Sequence, residues 1–340
     1  MAQAKRKPDL HAISNSKLNP SKDELKKYYR DMLLIRRFEE RAGQFYGRGL
    51  IRGYFHVYIG QEAVVTGIQS QQIEQDTVVT AYRDHGHMLA CGMDPKEVMA
   101  ELTGRVTGCS RGKGGSMHMF SRKKNFYGGH GIVGAGTSIG TGLAFAHKYS
   151  EDAGVSVSYM GDGAANQGQV AECYNMAALW KLPVLYVIEN NKYAMGTSVN
   201  RHAAGDLYKR GEGYGIPGEQ VDGQDLFKVQ EAARRALDHI RDGNGPYILE
   251  MMTYRYKGHS VSDPAKYRSK DELEDWKSNR DPINLLKTYI LEEAGLSESE
   301  DIKPIDQEIK KIIAEAADFA ENSPEPDVSE LWTNVLVDVD

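Results

Sequence analysis

The chain has 340 residues, 40% hydrophobic and 26% charged, which is enough to bury a large core in one sizeable α/β domain with appendages. The net charge of -6 speaks against nucleic-acid binding, no apolar run is long enough to span a membrane, and the N-terminus lacks a signal peptide's apolar core. Cys91, Cys109 and Cys173 have no CxxC spacing, so neither a disulfide framework nor a zinc site is expected and a reducing cytoplasm fits best.

The N-terminal part is predicted to be a tail followed by helices. Residues 1–22 are polar and basic, and we expect them to be disordered or extended. Apolar residues from Leu25 to Tyr46 are spaced like those of a long amphipathic helix. Four charges of this helix are expected to face solvent: Arg36, Arg37, Glu39 and Glu40. His56 then lies in a loop before a helix starting near Gln61, and a lone histidine there is more often structural than catalytic.

A short strand is predicted from Thr77 to Ala81, and two polar residues follow at its carboxyl end. The guanidinium of Arg83 can make a forked contact with a diphosphate oxygen, and Tyr82 offers a second donor. The alternative is an ion pair between Arg83 and Asp84.

Two glycine-rich patterns resemble nucleotide-binding motifs without satisfying them. Residues 111–116 place glycine after the lysine, where a phosphate-binding loop requires serine or threonine. Gly129, Gly131 and Gly134 match GxGxxG, but the preceding SRKKNFY does not read as a strand, and Glu151 precedes a strand instead of ending one. We therefore expect neither nucleoside triphosphate nor nicotinamide binding.

Residues 155–191 are predicted to form one strand-helix-strand unit. Valines and a tyrosine alternate with serines up to Gly161, which predicts a strand ending in a turn. Ala164 to Trp180 has helical spacing, and Val184 to Ile188 is a continuous apolar run, typical of a parallel strand buried on both faces.

Parallel strands end at the same edge of a sheet, so Asp162 and Asn191 are expected to lie close together. A carboxylate and an amide oxygen suit a hard cation, and the backbone amides of Gly163 and Ala164 can approach an anion. Magnesium usually completes its shell with phosphate oxygens, so the pattern predicts a bound diphosphate. The specific signal is GDG, then 26 residues, then NN.

A further helix at residues 224–241 and a strand from Tyr247 to Tyr254 lead to the same edge. There Arg255 is followed by His259, which can donate to a phosphate or move protons near neutral pH. Gly258 suits a loop that orders on binding. The residue types support a structural and a catalytic role for His259 equally.

The C-terminal part is predicted to be helical, at residues 271–296 and 302–322, with a tail from Leu331 to Val339. Its apolar end is a candidate subunit contact, the alternative being packing on its own domain. The predicted fold class is α/β, with a mostly parallel sheet and helices on both faces. The domain prediction is a tail at 1–22, an α/β domain at 23–268 and a helical segment at 269–340.

The GDG to NN unit resembles the thiamine diphosphate signature. FHVYIGQEAV, TAYRDHGH, SRGKGGSMHMFS, GIVGAG and YRYKGHSVSDP resemble alpha subunits of the first component of the 2-oxo acid dehydrogenases, above all the pyruvate group, from about Tyr28 to the end. The resemblance implies a thiamine diphosphate-binding fold that decarboxylates pyruvate and passes the acetyl group to lipoamide. The alternatives are the branched-chain 2-oxo acid and acetoin dehydrogenases and, from another class, a non-catalytic scaffold subunit.

The resemblance also assigns site residues and cofactors. Thiamine diphosphate and Mg²⁺ are expected, with Tyr193 giving its backbone carbonyl to the metal beside Asp162 and Asn191. His259 and His56 are the expected catalytic side chains. The expected cofactor-binding residues are Tyr82, Arg83, Gly131, Val133, Asp162, Gly163, Ala164, Asn191, Arg255 and His259.

The expected partners are a beta subunit, in a two-alpha, two-beta heterotetramer, and the lipoyl domain of the dihydrolipoyl acyltransferase. Neither Glu62 nor Glu189 is well placed for the cofactor's pyrimidine ring, and the family takes that glutamate from the beta subunit. Similar mitochondrial chains carry a phosphorylatable serine where this sequence has Lys266. The N-terminus is also unlike a transit peptide, so a bacterial, cytoplasmic enzyme is expected.

Overall fold

The computed structural model describes residues 18–336, so most of the predicted N-terminal tail and the last residues of the predicted C-terminal tail lie outside the described residues. The strands are β1 Thr77–Ala81, β2 Phe126–His130, β3 Ser156–Gly161, β4 Val184–Asn190, β5 Tyr193–Ala194, β6 Thr197–Ser198, β7 Gly218–Asp222 and β8 Tyr247–Met252. The helices are α1 Lys22–Gly47, α2 Glu62–Gln69, α3 His85–Ala90, α4 Pro95–Leu102, α5 Ala135–Ser150, α6 Gly168–Leu179, α7 Val199–His202, α8 Leu226–His239, α9 Lys270–Asn279, α10 Pro282–Glu292 and α11 Lys303–Asn322.

Six strands form one sheet in the order β2-β1-β3-β4-β8-β7, and every neighbouring pair is parallel. β5 and β6 form a separate antiparallel hairpin. All seven residues of β4 are buried because successive side chains enter two different cores. Leu185 and Val187 join the larger core, whereas Tyr186 and Ile188 join the smaller one. The predicted α/β class with helices on both faces is therefore confirmed.

The C-terminal helices pack on the N-terminal part of the chain. Side chains of α11 such as Ile309 and Ala316 share the larger core with Phe38 of α1 and Val98 of α4. The described residues after α11 are different, because five large apolar side chains there are 65–86% exposed: Val328, Leu331, Trp332, Val335 and Leu336. The division of the chain at residue 268 stays a prediction.

Two of the predicted helices differ from the structure. The helix expected from Ala164 begins at Gly168, because Gln167 is extended (ψ 139°) after a 3₁₀ turn at Ala164–Asn166. The helix expected at 271–296 is two helices, since Pro282 has no N–H to continue α9 and Asp281 caps α10 instead. Strand β7 was not predicted.

The prediction that Arg36 and Glu39 face solvent was wrong. Arg36 forms ion pairs with Glu62 and with Asp281, and Glu39 is fully buried. The Glu39 carboxylate accepts the backbone N–H of Tyr58 at 2.6 Å. Buried charges of this kind persist only when paired, so α1 is tied to three distant segments. Two helix charges do face solvent and pair with each other, namely Arg37 and Glu40.

The two glycine-rich patterns have structural explanations. The prediction that SRKKNFY is no strand was wrong for its last two residues only, because residues 122–124 form a 3₁₀ turn and β2 begins at Phe126. A side chain at Gly128 (φ 99°) would collide with Phe120. In the other pattern, the carboxylate of Glu101 accepts four backbone N–H groups at 2.7–3.2 Å, so the chain's own anion fills the loop. The donors are those of Ser110, Gly112, Gly114 and Gly115.

Asp84→Asn should stabilise the protein more at pH 8 than at pH 5. Asp84 is fully buried, and neither carboxylate oxygen has a hydrogen-bond partner among residues 18–336, although His85 Nε2 lies 3.9 Å from Oδ1. Burial raises the pKa of Asp84 to about 8. Between its unfolded pKa of about 3.9 and 8, the folded state therefore holds an extra proton, and stability falls as pH rises. The free energy of unfolding falls by at most ~1.4 kcal/mol per pH unit in this range.

The measurement is the melting temperature of wild type and variant across this pH range. Asp238→Asn is the matched control, because it makes the same substitution at a carboxylate that is exposed to solvent. A constant difference between Asp84→Asn and wild type would contradict the expected protonation state.

Candidate active site

A cavity of about 270 Å³ lies at the carboxyl ends of β1, β3 and β4, beside the residues that follow β8. This is the edge at which open parallel sheets bind ligands. Most of the predicted site residues line it: Tyr82, Arg83, Val133, Asp162, Gly163, Ala164, Asn191, Tyr193 and Arg255. The lining residues that were not predicted as site residues are Thr80, Ala81, Gly134, Gly161, Glu189, Ala194 and Met195. His56, His259 and Gly131 do not line it.

The three predicted metal ligands line the same cavity at the edge of the sheet. Asp162, directly after β3, is nearly fully buried, and burial raises the pKa of its carboxyl group. Asn191 donates from Nδ2 to Gln61 Oε1 at 3.2 Å, which leaves Oδ1 toward Arg255. The backbone carbonyl of Tyr193 accepts from the same guanidinium. One carboxylate, one amide and one carbonyl form an oxygen donor set suited to a hard cation.

The hairpin that carries Tyr193 is held in an unusual backbone conformation. Lys192 (φ 78°) and Met195 (φ 51°) are both in the left-handed region that non-glycine residues rarely adopt. Arg255, which is 1% exposed, donates to the carbonyls of Tyr193 and Met195 and so fixes the strained turn. Gly163 packs below it, where a side chain would collide with Ala194.

Arg83 is anchored by carbonyl groups and does not pair with Asp84. Its Nη1 donates to the Val57 carbonyl at 2.7 Å, and its Nη2 donates to the His259 carbonyl at 2.8 Å. Burial and the nearby Arg255 lower the pKa of Arg83 to about 10, so it stays cationic at neutral pH. It therefore brings a fixed positive charge to the cavity wall.

His56 and His259 form an aromatic cluster with Tyr82 beside the cavity. The two imidazole centroids are 5.0 Å apart and lie 4.6 and 5.5 Å from the tyrosine ring. Burial and the charge of Arg83 lower the pKa of His259 to about 4 and that of His56 to about 2. Both rings are thus neutral at pH 7, so each can donate one hydrogen bond and accept another. His56 Nδ1 has no hydrogen-bond partner within the described residues.

The loop that carries His259 is closed by hydrogen bonds. The Asp263 carboxylate accepts the His259 backbone N–H at 2.6 Å and the Tyr267 hydroxyl at 2.7 Å. Arg255 Nη2 donates to that hydroxyl at 2.6 Å, and Arg268 donates to the carbonyls of residues 255–257. The loop is therefore connected to the β5-β6 hairpin through the Arg255 guanidinium and through the contact between the Tyr193 and Tyr267 rings.

The mouth of the cavity is apolar and open to solvent. Val133 lines it at 42% exposure, with Ile132 and Met195 more exposed still. Gly131 lies further along the same segment, where a side chain would press on the His118 ring at 3.2 Å. Exposed apolar side chains around a ligand cavity are typical of a surface that another chain covers.

Two further residues at the site, Glu189 and His202, were not among the predicted site residues. Glu189 lines the cavity and accepts a hydrogen bond from the Tyr58 hydroxyl. His202 lies 3.0 Å from an Asp162 oxygen through its Nε2, and it also contacts Asn166. No spacing rule relates residues 162 and 202, so only the path of the chain after β6 reveals this pair.

The fold and site define an α/β protein with an oxygen donor set and a buried arginine at the carboxyl edge of a parallel sheet. A family model described as "Dehydrogenase E1 component" matches residues 30–329, so the chain belongs to that family, and the resemblance seen in the sequence is confirmed. Of the described residues, none forms a helix with the length and apolar character needed to cross a bilayer.

Curated relatives match along nearly the whole chain. Identity is 62% over 318 residues to the pyruvate dehydrogenase E1 component subunit alpha of Rhizobium meliloti (strain 1021), which covers 93% of this chain and 91% of that protein. The protein of the same name from Zymomonas mobilis subsp. mobilis is 58% identical, over 96% of this chain and 94% of that one. The mitochondrial subunit alpha of Sminthopsis macroura is 48% identical, over 97% and 91%.

Proposed function

We propose that this chain is the alpha subunit of a pyruvate dehydrogenase E1 component, which decarboxylates pyruvate and transfers the acetyl group to lipoamide. The observation that carries the proposal is the convergence of Asp162, Asn191 and the Tyr193 carbonyl beside the buried Arg83 in one cavity. High identity along the whole chain to proteins named as that subunit supports the same reaction.

The donor chemistry of the cavity fits thiamine diphosphate with Mg²⁺. Asp162, Asn191 and the Tyr193 carbonyl offer three kinds of protein oxygen, whereas Mg²⁺ takes an octahedral shell, so oxygens from outside the protein would complete it. Mg²⁺ is usually bound by one or two carboxylates together with phosphate oxygens. Asp162 supplies the carboxylate, with Asn191 and the Tyr193 carbonyl beside it, while Arg83 balances the diphosphate charge.

Each residue then has a defined task. Thiamine diphosphate, when bound, supplies the electron sink that lets a 2-oxo acid lose carbon dioxide. Tyr82, Arg83 and the amides of Gly163 and Ala164 bind and orient the diphosphate. His259 and His56, both neutral, hold exchangeable protons beside it. The Gly131 to Val133 segment lets backbone approach the rest of the cofactor closely. Arg255 holds the metal-ligand turn and the His259 loop in fixed positions relative to each other.

The site requires a second chain to be complete. Its volume of about 270 Å³ is just below the roughly 300–1,000 Å³ usual for ligand pockets, and its mouth is apolar and exposed. We assign the missing wall to a beta subunit in a two-alpha, two-beta heterotetramer and the acetyl acceptor to the lipoyl domain of the acyltransferase. Three free cysteines suit a reducing bacterial cytoplasm.

The substrate assignment is tested by comparing kcat/KM of the assembled enzyme for pyruvate, branched-chain 2-oxo acids and acetoin. We expect pyruvate to be preferred by at least ~10-fold, because a pocket sized for a methyl group discriminates against larger side chains by this amount. Equal or better rates with a branched-chain acid or acetoin would contradict the assignment. The absence of turnover with all three, together with no thiamine diphosphate binding, would identify a scaffold subunit.

A further inference from the structure

We propose that His202 is a positioning residue that holds the Asp162 carboxylate in the orientation needed to bind the metal through one oxygen. This inference rests on the proposed function, since it concerns the same metal site. It assigns a task to three residues outside the cavity lining, namely His202, Asn166 and Arg210.

The first observation is the contact between the imidazole and the carboxylate. His202 Nε2 lies 3.0 Å from Asp162 Oδ2, and both side chains are largely buried. His202 ends the short helix α7, directly after the β5-β6 hairpin that carries Tyr193. The same segment therefore supplies a ligand carbonyl and a partner for the ligand carboxylate.

The second observation fixes the orientation of the Asn166 amide. Arg210 Nη2 donates to Asn166 Oδ1 at 2.7 Å, and its Nη1 donates to the Ala165 carbonyl at 2.6 Å. Asn166 Nδ2 in turn donates to the Asp162 carbonyl at 3.2 Å. A guanidinium has no acceptor and a carbonyl has no donor, so both neighbours require the same placement of the amide oxygen and nitrogen.

The amide orientation determines the imidazole tautomer. Asn166 Nδ2 lies 3.0 Å from His202 Nδ1, and because an amide nitrogen only donates, Nδ1 must accept. The ring proton of the neutral imidazole is then on Nε2, where it donates to Asp162 Oδ2. The hydrogen bonds therefore all run in one direction, from Arg210 through Asn166 and His202 to the Asp162 carboxylate.

This arrangement has two consequences for the metal site. The hydrogen bond from His202 occupies Oδ2 of Asp162 and leaves Oδ1 for the metal. Asp162 would then bind the metal through one oxygen in a fixed direction. The same hydrogen bond also supports the ionised form of a buried carboxylate without adding a second positive charge next to a divalent cation. Partners that orient metal ligands in this way typically change metal affinity by about 10–100-fold when replaced.

Two amide substitutions of different length test the proposal. The amide nitrogen of His202→Gln reaches about as far as Nε2 and can donate to Asp162, whereas that of His202→Asn stops near the position of Nδ1. We expect His202→Asn to raise the dissociation constant for Mn²⁺ by about 10–100-fold and His202→Gln to change it less than about 3-fold. The metal is titrated into the assembled enzyme with thiamine diphosphate, followed by electron paramagnetic resonance.

Further readouts separate positioning from general damage. The melting temperature without metal should be the same for both variants, and KM for pyruvate at saturating metal should be unchanged. Wild-type Mn²⁺ affinity in His202→Asn, or equal losses in both variants, would overturn the positioning role. Asp162→Ala separates the positioning role of His202 from the proposed metal site. If Asp162→Ala loses metal affinity and His202→Asn keeps it, the positioning role is refuted and the proposed function stands. Unchanged affinity in Asp162→Ala would refute the metal site itself.

Discussion

Asp162→Ala should weaken binding of thiamine diphosphate and Mg²⁺ by more than about 100-fold. This loss exceeds the range seen when the residues that hydrogen-bond to a metal-ligating side chain are replaced. Asp162 is the only carboxylate among the proposed ligands, so its loss leaves two neutral oxygens to hold a divalent cation beside a diphosphate. The fold should persist, because Asp162 lies at the end of β3 and burial already raises the pKa of its carboxyl group. We expect stability without cofactor to change by about 1 kcal/mol or less.

Calorimetric titration of the assembled variant with thiamine diphosphate in Mg²⁺ provides the measurement. Asp162→Asn should bind with intermediate affinity, because it keeps an oxygen ligand while losing the charge. Asp206→Ala is the matched control, since Asp206 is a half-exposed carboxylate that pairs with Lys209 on the surface. Cofactor affinity that is unchanged in Asp162→Ala would remove Asp162 from the metal site.

The isolated chain should not decarboxylate pyruvate, and adding its cognate beta subunit should raise turnover by at least ~100-fold, the lower range for a general acid-base group. Of the residues lining the cavity, only Asp162 and Glu189 are carboxylates, and both lie in the part that we assign to the diphosphate. The Glu189 carboxylate already accepts the Tyr58 hydroxyl. Glu62 is buried and bound to Arg36 and the Gly60 N–H. None is available for the far ring of the cofactor.

Turnover is measured with pyruvate and an artificial electron acceptor, with cofactor and Mg²⁺ saturating, for the chain alone and after reconstitution. Gel filtration establishes that the two subunits assemble. Reconstitution with Asp162→Ala should restore the assembly without restoring activity, which separates subunit association from cofactor binding. Full activity of the isolated chain would show that it contains the glutamate assigned to the partner.

The central unit of the fold could be predicted because its signals are local. Alternation in β3, the turn at Gly161 and the apolar run of β4 each depend on neighbouring residues. The parallel connection then places the ends of both strands at one edge, so Asp162 and Asn191 could be expected together. The family resemblance added expected roles for residues such as His56 and Gly131, which residue types alone did not assign.

What the tertiary structure decided depends on contacts between distant positions. The charges of Arg36 and Glu39 read as a solvent-exposed face, yet they are buried because Glu62, Asp281 and the Tyr58 amide lie opposite them. Glycines at positions 128 and 129 concealed strand β2, since they carry no side chain from which a strand pattern could be recognised. The hydrogen-bond chain behind Asp162 joins residues 162, 166, 202 and 210 with no repeating spacing. Sequence periodicity reports only which face a side chain occupies, whereas these partners depend on how separate segments come together in space.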